Sequence, residues 1–291
     1  MERATYGFIG LGNMGALMAA NLAAAGHDLI VYDAAGTDDR APEGARVANG
    51  VAGVVAVAET VLLSLPDGKV VEAVVGDIAA AGDRATRAVV DHSTIGVEAA
   101  RRVHETLSAA GIAYLDAPVS GGTAGAKAGT LAMMISGDKA LAERLDGALA
   151  PIAKNRFYVG ATPGQGQAMK VLNNFLSATA MTATSEAIAF GIGQGLDMAV
   201  MLDVLNASSG QNTATSDKFP NRVLTGKYDA GFTIDLLAKD VRLYLEQVTR
   251  TGSPDKVGGT VAGILEDVLA AMPGADFTRM YPFISGRSRT S

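Results

Sequence analysis

Lys170 and Asn174 stand four residues apart in the segment GQGQAMKVLNN, Gly164 to Asn174. On a helix that spacing brings both side chains to one face, where they can meet the same small molecule. The residues that follow, FLSATAMTATSEAIAFGIGQGL, are apolar or small and carry one charge, Glu186, which is expected to pair across an interface. A lysine at the entrance of such a helix is either a surface residue, as most lysines are, or an amine that loses water on folding. In the second case burial lowers its pKa toward neutrality, which suits a general acid/base. Asn173 points about a quarter turn off that face and is expected to satisfy backbone.

A second group of residues could hold what the lysine acts on. In DAPVSGGTAGAKAGTLAMMISG (116–137) an apolar run ends at Val119, and Ser120, Gly121, Gly122 and Thr123 follow. Consecutive glycines after a strand either form a flexible surface turn or direct their N–H groups into an anion-binding concavity. In an open α/β sheet this position faces the ligand crevice.

The third group lies near the N-terminus. GFIGLGNMGALMAANLAAAGHDLIVYD carries G-x-G-x-x-G as Gly10, Gly12 and Gly15. Glycine is abundant, so the pattern alone decides little. Its context decides more: an apolar strand precedes it, an Ala/Leu-rich helix follows, and a second strand ends in Asp33, 18 residues after Gly15. That is the βαβ fingerprint of a dinucleotide site. Gly10, Leu11, Gly12, Asn13, Met14 and Gly15 then form the loop that receives a pyrophosphate at a helix N-terminus. Asp33 accepts from the adenosine ribose hydroxyls. No arginine follows it directly, and Arg40 lies beyond Asp38 and Asp39, so NAD is expected in preference to NADP. The loops SLPDG (64–68) and DHSTIG (91–96) sit where strand ends face a cofactor. Pro66 also reads as a strand stop, and Ser93 and Thr94 as helix caps.

The elements that must position these groups change character along the chain. Strand-like runs at 6–10, 28–33, 60–66, 88–93, 113–119, 131–137 and 156–160 alternate with helical stretches such as Met14–Ala25 and Gly96–Ala110. The alternation predicts βαβ units and a Rossmann-type, doubly wound, mostly parallel sheet. After Gly160 helices are expected at 165–194, 197–207, 233–250 and 255–271. The fold class is therefore α/β followed by an all-α domain. A dinucleotide-binding domain is expected over 1–162, and a helical domain carrying Lys170 and the oligomer contacts over 163–291.

Composition narrows the function classes. Apolar residues make up 48% of 291 and charged ones 19%, which is globular. The net charge of −6 and the lack of a basic block argue against nucleic acid. Without cysteine there are no disulfides, thiolate nucleophiles or Cys-ligated metals. His27, His92 and His104 are scattered, so no metal is expected. No secretory leader is visible at the N-terminus. Val171–Leu196 is long enough to span a bilayer, but its Asn, Thr, Ser and Gln content favours a buried helix. The protein is expected in the cytoplasm, off the membrane. A small domain can hardly cover so apolar a helix alone, so a homodimer or homotetramer is expected.

Three blocks, GFIGLGNMGALMAANL, DAPVSGGTAGAKAGTLAMM and GQGQAMKVLNN, together resemble the β-hydroxyacid dehydrogenases, the group that includes 3-hydroxyisobutyrate dehydrogenase. LLAKDVRL (236–243) resembles that family's Lys-Asp motif. The blocks keep the family's order, and the resemblance runs the length of the chain. It implies that Lys170 is the catalytic lysine, that Asn174 orients substrate, and that Ser120, Gly121, Gly122 and Thr123 hold its carboxylate. Leu65, Pro66 and Thr94 match cofactor-contacting positions, and Lys239 a lysine beside the nicotinamide end, near enough to help depress the Lys170 pKa. The implied reaction moves a hydride between NAD and the 3-hydroxyl of a small 3-hydroxy acid, such as 3-hydroxyisobutyrate or a related hydroxyacid/semialdehyde pair. One departure stands out: GATPGQG puts three residues between Gly160 and Gly164, where the family commonly has two.

Two other readings remain. Imine or aldehyde-acid reductases of this fold resemble the first block, but imine reductases generally lack the Lys170/Asn173/Asn174 pattern. A non-catalytic cofactor-binding scaffold would not need a desolvated lysine. Asn212, Thr213 and Thr215, in NASSGQNTATSDKFP (206–220), hint at a polar group on the substrate.

Overall fold

The short apolar runs become strands and the Ala-rich stretches become helices in the computed structural model of the chain, which describes residues 4–286. Two compact units divide between Lys170 and Val171.

In the first unit the order is β1 (Thr5–Ile9), α1 (Gly15–Ala24), β2 (Asp28–Tyr32), β3 (Arg46–Val47), α2 (Val51–Val55), β4 (Thr60–Leu63), α3 (Gly68–Ala80), β5 (Ala88–Asp91), α4 (Val97–Ala109) and β6 (Ala113–Asp116). It continues with β7 (Val119–Ser120), α5 (Gly122–Ala128), β8 (Ala132–Gly137), α6 (Lys139–Leu149) and β9 (Asn155–Gly160). The strands form one sheet in the order β3-β2-β1-β4-β5-β6-β8-β7, with β9 on β8. The first six positions, 3-2-1-4-5-6, follow the doubly wound dinucleotide-binding arrangement. Parallel pairing runs from β3 to β6.

Alternation along the strands splits the core into two layers. Phe8, Val31, Leu62, Val90 and Leu115 face Met18 and Leu22 of α1 and Leu141 and Leu145 of α6. Ile9, Ile30, Val61, Leu63 and Val89 face Val54, Val71, Ile78, Val103 and Leu107 of α2, α3 and α4. Each such side chain fully buried contributes about 1.5–3 kcal/mol.

The run expected as one strand over 113–119 is two. β6 ends at Asp116, and β8 lies between it and β7, antiparallel to both. Ala117 and Pro118 make the break: the Ala117 N–H donates to the Asp91 carbonyl at 2.8 Å, and the Pro118 carbonyl accepts from Met134 at 3.0 Å. Proline has no N–H for a ladder.

The second unit is helical. α7 (Gln165–Gly193) begins in the first unit and runs on into the second, which adds α8 (Met198–Asn206), a π-helix (Ala214–Val223), α9 (Ile234–Thr251), α10 (Lys256–Ala271), a 3₁₀ turn (Phe277–Arg279) and α11 (Met280–Ile284). Its core joins Ala178, Met181 and Ile188 to Phe219, Leu237, Val241 and Leu265. The π-helix was not expected from the sequence. Asn212 caps it, its Oδ1 accepting from Ala214 at 2.8 Å and Thr215 at 3.1 Å. The Thr215 hydroxyl in turn accepts from Asn212 N–H at 2.9 Å. Capping thus occupies both residues, which weakens the hint of a polar substrate group drawn from them.

Candidate active site

The glycine loop leaves β1 with each glycine in a different role. Gly10 has φ +94°, and a Cβ there would lie 2.2 Å from the Ser64 carbonyl oxygen. A Cβ on Gly15 would lie 1.9 Å from the Gly10 oxygen, so these two make the tight turn. A Cβ on Gly12 would meet nothing within 4 Å. That open approach to the backbone at the start of α1 fits a dinucleotide pyrophosphate, with Leu11, Asn13 and Met14 completing the loop. The C-terminal end of β4 lies beside it, at the point where strand order reverses.

Asp33 closes β2 next to this loop. Its Oδ2 accepts from the Leu11 N–H at 2.6 Å and its Oδ1 from Ala35 at 2.8 Å. Arg40 also reaches it, with Nη1 3.2 Å from Oδ1. The sequence places Arg40 beyond two acids, but the backbone turns back. The Thr37 hydroxyl accepts from Asp33 N–H at 2.9 Å, and the Thr37 carbonyl accepts from Arg40 N–H at 3.0 Å.

Leu65 and Ser93 join two of the expected cofactor loops: the Leu65 N–H donates to the Ser93 hydroxyl at 2.8 Å. Ser93 is therefore a bridge and not the cap of α4, whose N-cap is Gly96 with φ 83°. Pro66 is exposed and Thr94 half-buried. Just before Ser93, burial pushes the Asp91 carboxyl up to about 7, although Ser93 hydrogen-bonds it, and burial lowers His92 to about 4. His92 Nδ1 lies 2.9 Å from the Ala117 carbonyl, which accepts and so fixes the proton on Nδ1.

Ser120 ends β7, and the backbone then bends through Gly121 at φ 136° and Gly122 at φ 63°. A side chain is strained at both positions, and a Cβ on Gly121 would press within 2.9 Å of Leu131. Ser120, Gly122 and Thr123 are half-buried and Gly121 is exposed.

The start of α7 answers why two glycines precede Lys170. Asp116, at the end of β6, accepts from Gly164 N–H at 3.0 Å through Oδ1 and from Gln167 N–H at 2.9 Å through Oδ2. The Ser136 hydroxyl donates to Asp116 and accepts from Gly166 N–H at 2.9 Å. A Cβ on Gly166 would stand 2.6 Å from both Asp116 Oδ2 and the Met134 carbonyl, so only glycine fits. Burial raises the Asp116 carboxyl against the lowering effect of these bonds. The longer Gly160–Gly164 loop is closed by Gln165, whose Oε1 accepts from Thr162 N–H at 2.9 Å. Lys170 follows one turn into the helix and is 7% exposed. The buried reading of this lysine is the observed one.

Within the second unit, Asn174 is buried and its Nδ2 donates to Asp240 Oδ2 at 2.6 Å. Asn173 Nδ2 donates to Asn174 Oδ1 at 3.1 Å. Lys239 is half-buried, with Nζ 3.3 Å from Asp240 Oδ1. Glu186 is exposed. The sequence assigns no role to Asp116 or Gln167, and Asp240 enters it only as the aspartate of the Lys-Asp motif. Asp240 lies three residues after buried Leu237, and a carboxylate on the apolar stripe of a helix is the signal that marks it. No group of three or more His, Cys, Asp or Glu suited to a metal occurs among the described residues.

Two family models cover these parts. Residues 5–160 match the NAD binding domain of 6-phosphogluconate dehydrogenase. Residues 164–284 match the NAD-binding domain of NADP-dependent 3-hydroxyisobutyrate dehydrogenase. A probable 3-hydroxyisobutyrate dehydrogenase of Mycobacterium tuberculosis is 36% identical over 98% of this chain and 99% of its own. The solved structure of the M. tuberculosis enzyme with L-serine superposes at TM-score 0.88 and 34% identity, covering 97% of this chain and 99% of that one. An NAD-dependent L-serine dehydrogenase of Pseudomonas aeruginosa is 38% identical over 86% of this chain and 87% of its own. An imine reductase of Streptomyces aurantiacus, 22% identical with TM-score 0.64 and covering 99% and 100% of the two chains, shares the fold.

Proposed function

The chain belongs to the β-hydroxyacid dehydrogenase family, and we propose from that premise that it oxidises the 3-hydroxyl of a small 3-hydroxy carboxylic acid. It is an NAD-binding oxidoreductase. The substrate is 3-hydroxyisobutyrate or a related hydroxyacid/semialdehyde pair. L-serine, named with two of the relatives, has the same 3-hydroxy acid frame with an amino group on C2.

The observation that carries this reading is the buried Lys170, set one helical turn before Asn174 on a helix whose start is clamped by Asp116. Ser120, Gly121, Gly122 and Thr123 hold the carboxylate. Asn174 orients the hydroxyl beside Lys170. When bound, NAD supplies the acceptor for the hydride that leaves the carbinol carbon. Lys170 Nζ takes the hydroxyl proton as the C–O bond becomes a carbonyl, and returns it in the reverse direction. Gly10 through Gly15, Asp33, Leu65, Pro66, Thr94 and Lys239 form the cofactor side. The first domain is taken as 1–162 and the second as 163–291.

The same reading places the protein in the cytoplasm as a homodimer or homotetramer, without nucleic-acid or membrane partners. Leu176 and Phe190 of α7 are 57% and 70% exposed in the single chain, a hydrophobic surface that a second copy would cover. Light scattering at micromolar concentration tests this, and a stable monomer would refute it. NADH formation with a panel including 3-hydroxyisobutyrate, L-serine and their one-carbon homologues tests the activity. Turnover of imines or non-acid alcohols alone would overturn it.

A further inference from the structure

Gln167 has no part in the chemistry assigned above, yet its carboxamide is wholly buried and bonded at both ends. Its Oε1 accepts from Ile95 N–H at 2.9 Å and Gly96 N–H at 3.2 Å, and its Nε2 donates to the Ser93 carbonyl at 3.0 Å. Thr94 lies within the four residues so gripped. Lys170 lies three residues after Gln167, on the neighbouring face of the same helical turn.

Capping does not explain this side chain. The first N–H groups of a helix need partners, and here Asp116 and Ser136 already receive Gly164, Gly166 and Gln167. The carboxamide addresses another element: the loop that leaves β5 and enters α4. A continuous path of bonds results, from Leu65 through Ser93 to Gln167, and from the Gln167 backbone to Asp116. The Thr94 loop cannot shift against the start of α7 without breaking buried hydrogen bonds, which leaves buried polar groups unsatisfied.

We propose that Gln167 is a positioning residue that holds the Thr94 loop and Lys170 in register, so that hydride acceptor and base meet the substrate together. The inference rests on the dehydrogenase reading, in which Thr94 faces the cofactor and Lys170 the hydroxyl. Transfer needs reacting atoms about 3–3.5 Å apart, and a misplacement of about 1 Å costs about 10²-fold in rate.

The test compares Gln167→Met, which keeps length without hydrogen bonds, and Gln167→Glu, which keeps the acceptor but loses the donor to Ser93. NADH affinity by fluorescence titration also counts folded sites. Per folded site, kcat should fall about 10²-fold in Gln167→Met, with KM for the acid within a few-fold. The primary deuterium isotope effect with 3-deuterated substrate should rise, and Gln167→Glu should recover part of kcat. An unchanged isotope effect, or activity lost only in proportion to folded sites, would overturn the proposal; if Gln167→Met does not fold, Gln167→Glu is judged by the same criteria. Wild-type protein inert toward both 3-hydroxyisobutyrate and L-serine would count against the dehydrogenase reading instead. Amide exchange in the NADH complex then decides for Gln167: Ile95, Gly96 and Lys170 should lose protection together. Loss at Ile95 and Gly96 with Lys170 unchanged would refute the coupling.

Discussion

Asn174 and Asp240 form a buried pair, Nδ2 to Oδ2 at 2.6 Å, that joins α7 to α9 inside the second unit. The carboxylate fixes which way the carboxamide faces: one N–H of Nδ2 goes to Asp240, and Oδ1 accepts from Asn173. Lys239 lies on the other carboxylate oxygen, at 3.3 Å. The residue proposed to orient substrate is thus itself oriented.

Asp240→Ala should therefore weaken catalysis without touching the dinucleotide loop. A hydrogen bond to a charged group contributes about 1.5–3 kcal/mol, so kcat/KM should fall about 10- to 100-fold. NADH affinity should stay within a few-fold. Steady-state kinetics beside a binding titration check both, and a loss confined to NADH affinity would place Asp240 elsewhere in the mechanism.

Lys170→Ala should remove turnover and leave NADH binding nearly intact, since the glycine loop and Asp33 lie far from it in sequence and are built by other bonds. Loss of a general acid/base typically costs about 10²–10⁴ in rate. Activity within tenfold of wild type would mean that another group moves the proton.

Local patterns made much of this legible. Strand alternation, glycine turns and the apolar helix are all set by near neighbours, and each expected strand has an observed counterpart. What could not be read depends on distant pairing. Nothing in AYLDAPV announces that β8 will come between its two halves, because 12 residues separate the end of the run from β8. The glycines before Lys170 were visible, but the reason for them, the Asp116 carboxylate pressed against Gly166, lies about 50 residues away in the chain. Arg40 is remote from Asp33 in sequence, and the Thr37 turn brings it back.

Asp91 and His92 pull the pH dependence of stability in opposite directions. Burial raises the Asp91 carboxyl to about 7 and lowers the His92 imidazole to about 4. The folded chain holds the Asp91 proton more tightly than the unfolded chain. That contribution is fully present below the ordinary carboxylate pKa of about 4 and is lost as pH rises through about 7. The His92 contribution is present above its ordinary pKa of about 6.5 and is lost as pH falls through about 4. Between those limits the slopes oppose. Asp91→Asn removes one of them, so the variant's unfolding free energy should climb with pH from about 4 to 6.5 more steeply than wild type. Urea denaturation across that range checks this, and parallel curves would mean that Asp91 titrates alike in both states.

Cofactor choice turns on Asp33 and Arg40. Asp33 holds the Leu11 N–H at 2.6 Å, which keeps its carboxylate at the end of β2 where the adenosine ribose belongs. Ribose hydroxyls can donate to it, whereas the 2′-phosphate of NADP would bring a second anion against it. Arg40 softens that repulsion, but it is already paired with Asp33, and its side chain is 41% exposed. An exposed pair of this kind contributes only about 0–1 kcal/mol, less than close like-charge contact costs. NAD should therefore remain the better cofactor by at least about tenfold in catalytic efficiency, about 1.4 kcal/mol. Arg40→Ala should widen the gap by lowering efficiency with NADP more than with NAD. Asp33→Ser with Ala34→Arg should shrink or invert it, since a guanidinium there can grip the phosphate. Equal efficiencies in the wild type would show that Arg40 leaves Asp33 for the phosphate at little cost, and that the carboxylate does not select the cofactor.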